Sequence, residues 1–322
     1  MMEYGFYGRL KKEFPSQIIV DICDVCNYEC IHCPQVLLKK AGKISGEFLS
    51  LELNKKMVDE VATEGKGFVQ QIRYAAAGEP FLHPYVMEML EYAVVNANCL
   101  VSITTNGSLL DEEKIEKLLK LNLGLIDFSI DAFSEETYAK VRKKGILSVV
   151  KNNVNTMLRL KEKLSSKTKI VVSFVKQESN KFEEEKFKKY WYEQGVDRVI
   201  IRKMHTAGGA LTSNTDVIND TAVYPCVYPW ERIVLNQKGE LGFCPADWDL
   251  QGARIVCNDY SISKIKNVWN SEIYNSLREQ HLTGNFKDSC VCKNCPDRCQ
   301  SIWPGNGEIA YGDMIADFSK DE

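Results

Sequence analysis

Apolar residues along this chain alternate between two patterns. Short runs rich in Val, Ile or Phe fall at 17–22, 69–74, 100–104, 125–130, 169–175 and 198–202. Between them, 51–64, 85–96, 111–121, 134–142, 149–164 and 181–194 carry apolar positions at helical spacing or helix-start signals. Pro84 suits the entry to one helix, and Asp111 and Ser134 are placed to cap two others. Strand runs separated by helices predict an α/β fold with a parallel sheet and helical crossovers. Periodicity alone does not distinguish a partial barrel from an open doubly wound sheet.

The pattern changes after Gly208-Gly209. Residues 206–220 are polar and read as a linker. Residues 232–236 and 240–244 read as two strands around a Gln237-Lys238-Gly239 turn. A helix is expected over 265–281, followed by an irregular tail. This places a domain boundary near residue 210, giving expected domains of 1–210 and 211–322.

Cysteine sharpens the picture. Twelve cysteines occur in 322 residues, four of them between Cys23 and Cys33 and four between Cys290 and Cys299. Cys226, Cys244 and Cys257 lie between these groups, and Cys99 stands apart as a packing residue. Met1–Glu13 is mixed and charged, without the apolar stretch of a signal peptide, so a cytoplasmic chain is expected and the cysteines suggest metal rather than disulfides. No apolar run approaches the roughly 20 residues that span a bilayer. The net charge of −3 gives no basic footprint for nucleic acid.

The segment Cys26-Asn-Tyr-Glu-Cys30-Ile-His-Cys33 sets three thiols on a loop directly after the first strand. Iron–sulfur clusters are commonly held by four thiolates, so three leave one iron open to a small ligand. A zinc site is the alternative, with Cys23 as fourth ligand in two paired knuckles. Against it, Cys23 ends an apolar strand and reads as core. The C-x3-C-x2-C spacing in this position resembles the signature of the radical S-adenosylmethionine (SAM) superfamily. That resemblance implies a partial (β/α)6 barrel and a 4Fe–4S cluster whose open iron chelates SAM. It also implies one-electron cleavage of SAM to a 5′-deoxyadenosyl radical that abstracts hydrogen from a substrate. His32 falls at a variable, often aromatic position of the motif and reads as packing.

Three further segments resemble the family in order and spacing. Ala77-Gly78-Glu79-Pro80 is similar to its GGEP motif, with Ala77 replacing the first Gly. Thr104-Thr105-Asn106-Gly107 is similar to its TNG segment. Phe128-Ser129-Ile130-Asp131, with Glu136-Thr137-Tyr138 and Arg142 beyond it, is similar to its SID and ET(Y/H)…R stretches. The resemblance implies SAM contacts from Gly78, Glu79, Asn106, Ser129 and Asp131, with Arg142 pairing the SAM carboxylate. The cysteine loop and these segments all sit at C-terminal strand ends, where α/β sites form.

Cys226, Gly239 and Cys244, then Val268-Trp-Asn270, His281 and Cys292-x2-Cys295, resemble the C-terminal half of family members with a SPASM or shorter twitch domain. This implies an auxiliary 4Fe–4S cluster on Cys226, Cys244, Cys292 and Cys295. Cys257, Cys290 and Cys299 are further candidates, so two clusters are expected in the chain and three are permitted. A zinc ribbon is the alternative here.

The resemblance further implies a radical SAM oxidoreductase of dehydrogenase or epimerase type, acting on a small carbohydrate-like substrate with an electron donor such as flavodoxin or ferredoxin. The alternatives are a peptide or protein maturase and a non-enzymatic zinc-binding adaptor. The general base stays unassigned. His83, His205 and His281 are candidates by type, and Tyr74 and Arg202 could face a barrel interior or simply pack. Trp191, Trp230, Trp248, Trp269 and Trp303 read as core or interface residues.

Overall fold

A computed structural model describes residues 10, 12–75, 77–204, 206–207, 211, 225–245, 254–288 and 290–300, except for the side chains of 299 and 300. The expected linker therefore lies almost entirely outside the described residues. So do His205, Trp248 and Trp303, and the side chain of Cys299.

Six parallel strands follow one another in space as they do in sequence. They are β1 (Gln17–Val20), β2 (Gln71–Tyr74), β3 (Leu100–Thr105), β4 (Leu125–Ser129), β5 (Lys169–Lys176) and β6 (Arg198–Lys203). The strand order never reverses, which is the winding of a barrel and not of a doubly wound sheet. The crossovers carry α1 (Gln35–Lys40), α2 (Leu51–Thr63), α3 (Val86–Asn96), α4 (Glu112–Lys120), α5 (Glu135–Val141), α6 (Leu147–Leu164) and α7 (Glu184–Gln194). Ser50, Asp111 and Ser134 cap α2, α4 and α5 by accepting from the backbone N–H groups of Leu53, Lys114 and Thr137.

Alternation along each strand separates two faces. Ile18 and Val20, Ile72 and Tyr74, Ile126 and Phe128, and Ile170 and Val172 are buried in one large core with the helices. Leu125 and Val171, with Leu100 and Ile200 against them, form a separate small cluster on the opposite, inner face. Helices thus cover one side of the strands, and the other side faces inward.

The C-terminal part continues the same sheet. After α8 (Tyr228–Glu231), β7 (Arg232–Leu235) pairs in parallel with β1. Next to it, β8 (Leu241–Gly242) and β9 (Ile255–Cys257) are antiparallel. Gly239 takes φ +78 in the expected hairpin turn. The single helix expected over 265–281 is instead two, α9 (Ile265–Trp269) and α10 (Glu272–Thr283). Ser271 explains the break, because its side chain accepts from Tyr274 N–H and so starts a new helix. Trp191, Trp230 and Trp269 are buried, as expected of core residues.

Candidate functional site

The cysteine loop leaves β1 over the C-terminal end of the sheet. Cys30 is buried, and Cys26 and Cys33 are partly buried against the core. Tyr28 N–H points at Cys26 Sγ (3.4 Å), and Arg142 Nη1 lies 3.7 Å from Cys30 Sγ. Burial pushes the Cys26 thiol up to about 12 and that of Cys33 to about 11. Cys30 is also raised by burial, against the pull of Arg142. Thiolates here need a bound cation to form, and three such thiols on one loop are a suitable donor set for a cluster with an open iron. Among the described residues, no three His, Cys, Asp or Glu side chains converge as a single metal ion requires. A four-iron cluster takes its thiolates on different irons and so spreads them further apart. Cys23 is buried as a core residue would be, and its Sγ–H donates to Glu79 O (3.3 Å).

That contact brings in the next loop. Glu79 N–H donates to Val25 O (2.8 Å), so the two loops lie backbone to backbone. A Cβ on Gly78 would meet Val25 O at 2.4 Å and Cys23 O at 2.7 Å, which is why glycine stands there. Glu79 is 2 % exposed, and its carboxylate accepts from Thr105 Oγ1 (2.6 Å), Asn106 N–H (2.8 Å) and Phe81 N–H (3.2 Å). Burial raises its pKa, and those donors lower it in part. Asn106 Nδ2 in turn donates to Asn27 Oδ1 (2.9 Å), in the cysteine loop. Glu79 and Asn106 therefore tie three strand-end loops together.

Sequence reading missed part of this network. Gln35, just past the last loop cysteine, donates through Nε2 to both Asp24 O and Ala77 O (2.9 Å each). Glu183 accepts from Phe133 N–H, Ser134 Oγ and Thr137 Oγ1, which fixes the start of α5. Single polar residues of this kind carry no periodic signal, because their partners are distant in sequence.

Ser129 ends β4 half-buried, opposite Ser173. Asp131 and Arg142 differ from expectation. Asp131 has φ +64 and is fully buried. It accepts from Val175 N–H (2.6 Å) through Oδ1, while Oδ2 takes the Arg142 fork through Nε (2.7 Å) and Nη2 (2.5 Å). His32 Nε2 lies 3.3 Å from the same oxygen. Burial lowers the Arg142 pKa, but the Asp131 carboxylate, with Cys30 and Tyr138, more than offsets it and the net shift is upward. The guanidinium expected to face a SAM carboxylate is thus engaged with Asp131 and turned toward Cys30. His83 is also engaged: Tyr85 N–H donates to Nδ1 (3.1 Å), so Nε2 carries the hydrogen donated to Leu49 O (2.9 Å). Tyr74 lies on the helix side, bonded to Asn54 Oδ1 (2.7 Å), whereas Arg202 faces inward and reaches Asp127 Oδ2 (2.7 Å).

In the C-terminal part, Cys292 feels the charges of Cys290, Cys244 and Cys226, and its thiol contacts that of Cys290. That contact lowers the pKa of the Cys290 thiol and raises that of Cys292. Cys290 thus lies beside Cys292, the thiol that also feels Cys244 and Cys226. Cys295 lies among Asp297 and Arg254, and Cys257 Sγ–H donates to Asp259 O (3.4 Å). His281 is buried against Trp230 and Phe286, with Nδ1 accepting from Cys226 N–H (3.3 Å).

Comparison with known proteins matches residues 20–180 to the radical SAM superfamily and residues 220–296 to SPASM, an iron–sulfur cluster-binding domain. The chain belongs to the radical SAM superfamily, in its SPASM-containing subgroup. Its cofactors are accordingly 4Fe–4S clusters and SAM. It is similar to the AdoMet-dependent heme synthase of Methanosarcina barkeri, at 31% identity over 40% of this chain and 34% of that protein. It is also similar to the GTP 3′,8-cyclase of Chlorobaculum tepidum, at 26% identity over 43% of this chain and 40% of that one. The matched regions thus span well under half the length of these relatives. Among solved structures, BtrN in complex with AdoMet and 2-DOIA matches with TM-score 0.55 and 17% identity, covering 87% of this chain and 92% of BtrN. Streptococcus suis SuiB bound to precursor peptide SuiA matches with TM-score 0.65 and 14% identity, covering 88% and 71%. At these identities the structural likeness establishes the fold. No helix among the described residues is long and apolar enough to cross a membrane.

Proposed function

We propose that this radical SAM enzyme removes hydrogen from a small carbohydrate-like substrate, completing a dehydrogenation or an epimerisation with help from an auxiliary cluster. The observation that carries this reading is the polar inner face beneath the strand-end loops, where Arg73, Thr104, Asp127 and Arg202 meet. Such a surface suits a substrate rich in hydroxyls. The end-to-end likeness to BtrN, whose solved complex holds AdoMet and 2-DOIA, supports the same class.

Cys26, Cys30 and Cys33 hold the first cluster. When bound, cluster and SAM together supply one-electron reduction and hydrogen-atom abstraction. Gly78 lets the Glu79 loop approach the cysteine loop, and Glu79, Asn106 and Ser129 line the SAM side. Asp131 acts through Arg142, holding its guanidinium beside Cys30, where positive charge stabilises a thiolate. Cys226, Cys244, Cys290 and Cys292 hold the auxiliary cluster, with Cys295, Cys257 and Cys299 left for a second one. The barrel domain is taken as 1–210 and the cluster domain as 211–322. The chain works in the cytoplasm with flavodoxin or ferredoxin as donor.

A second reading, peptide maturation, is favoured by the likeness to peptide-bound SuiB. The test is 5′-deoxyadenosine release by anaerobically reconstituted protein given SAM and dithionite. Stimulation by members of a sugar and aminocyclitol panel supports the proposal. Stimulation by Cys-containing peptides, with none from the sugars, overturns it in favour of maturation.

A further inference from the structure

The inner face of the sheet is layered. At its lower end Leu100, Leu125, Val171 and Ile200 form a closed apolar floor. One step above, Asp127 Oδ2 receives Arg202 Nη2 at 2.7 Å and stands 3.8 Å from Arg73 Nη2. Arg73 Nε and Nη2 also donate to Thr104 Oγ1 (3.2 and 3.0 Å). Asp127 lies two residues before Ser129, so this cluster is about 7 Å below the strand ends.

Two features give the cluster a direction. The Asp127 side chain is 0% exposed, whereas those of Arg73 and Arg202 are 17% and 26% exposed. Asp21, at the end of β1, is also nearly buried. In this cluster the guanidiniums are therefore more exposed than the carboxylate they pair with. The second feature is an orphan: Asp127 Oδ1 is buried with no hydrogen-bond partner among the described residues. An unsatisfied buried acceptor costs about 1–3 kcal/mol, which an incoming hydroxyl donor would recover. Two guanidiniums above an apolar floor also act in a low dielectric, where planar forks favour carboxylate or phosphate.

We infer that Arg73 and Arg202, held by Asp127, recognise an anionic group on the substrate while Asp127 Oδ1 accepts from one of its hydroxyls, so that the substrate is a carboxylated or phosphorylated polyol and not a neutral sugar. This rests on the carbohydrate reading above and narrows it.

The test is binding to reconstituted, unreduced holoenzyme, measured by calorimetry with D-glucose, D-glucuronate and D-glucose 6-phosphate as probes. Binding by either anion, with glucose weaker, supports the inference, and the better anion shows whether carboxylate or phosphate is meant. Arg73→Met and Arg202→Met should each weaken that anion by roughly 10–100-fold. Arg202→Lys, which keeps the charge, should recover part of the loss. Iron content and melting temperature matching wild type certify that each variant is folded. Equal binding of all three probes, no binding by any, or Arg variants that bind as wild type would each overturn the inference. 5′-Deoxyadenosine release separates the two levels. Release with neutral sugars alone sinks this inference and leaves the carbohydrate reading standing. Tight anion binding without release from any sugar, anionic ones included, sinks the carbohydrate reading and this inference with it.

Discussion

Replacing Gly78 with alanine should damage the site without removing any side chain that would hold a cofactor. The added Cβ would sit 2.4 Å from Val25 O, 2.7 Å from Cys23 O and 2.7 Å from Cys23 Sγ. Two of these neighbours are backbone, which cannot swing aside as a side-chain tip can. Overpacking of this kind costs about 1–3 kcal/mol. Relief requires the loops to part, which lengthens the 2.8 Å bond from Glu79 N–H to Val25 O and forfeits about 1 kcal/mol more. The expected loss is therefore about 2–4 kcal/mol in urea unfolding, with weakened SAM binding in equilibrium dialysis. Ala77→Gly is the control. Ala77 contributes its carbonyl to Gln35, which glycine keeps, so the cost should stay within about 1 kcal/mol. Gly78→Ala with wild-type stability and SAM affinity would refute the close approach of the two loops.

Four further outcomes are expected. A Cys26/Cys30/Cys33→Ala triple variant should lose about four irons per chain relative to wild type, by iron and sulfide analysis after anaerobic reconstitution. Cys290→Ala should remove more auxiliary-cluster iron than Cys295→Ala, because Cys290 is the thiol in contact with Cys292; the opposite order would restore the grouping suggested by spacing. Asp131→Asn should cost about 3–5 kcal/mol in urea unfolding by leaving the Arg142 guanidinium buried without its carboxylate, and Arg142→Met in the same background should recover part of it. Burial lowers the pKa of His83. Its contribution to stability is therefore full above the ordinary value of about 6.5 and is lost as pH falls through the folded value. Comparing urea midpoints at pH 7.5 and 5.5, a His83→Phe variant should show a smaller drop than wild type.

The strands and helices of the barrel were legible because each repeats a short pattern many times over. Where one residue decides, legibility was uneven: the Asp111 and Ser134 caps were read, and others were not. The expected helix over 265–281 has a sound apolar period, yet Ser271 caps a new helix inside it. Arg142 was expected to pair a SAM carboxylate because a guanidinium is a good anion fork. Nothing in the sequence shows that Asp131 takes a left-handed backbone and turns its carboxylate to meet it. Cysteine spacing pointed to a second metal region but did not rank Cys290 against Cys295, because both lie within one turn of chain from Cys292. Arg73, Asp127 and Arg202 did leave a signal. Each interrupts an apolar strand run with a charge, and a charge drawn out of water must be paired.

That last signal connects the two ends of the site. The strand-end loops use their polar groups on one another: Glu79 on Thr105 and Asn106, Asn106 on Asn27, Asp131 on Arg142. A network satisfied internally holds its shape before a ligand arrives, so little ordering cost remains at binding. The inner-face cluster is built differently, with an unsatisfied carboxylate oxygen and partly exposed guanidiniums. Groups closed off by one another position, and partly exposed ones are left to select. The loops are therefore suited to hold cofactors common to the whole family, while on the inference above discrimination between substrates would fall to the residues one layer below.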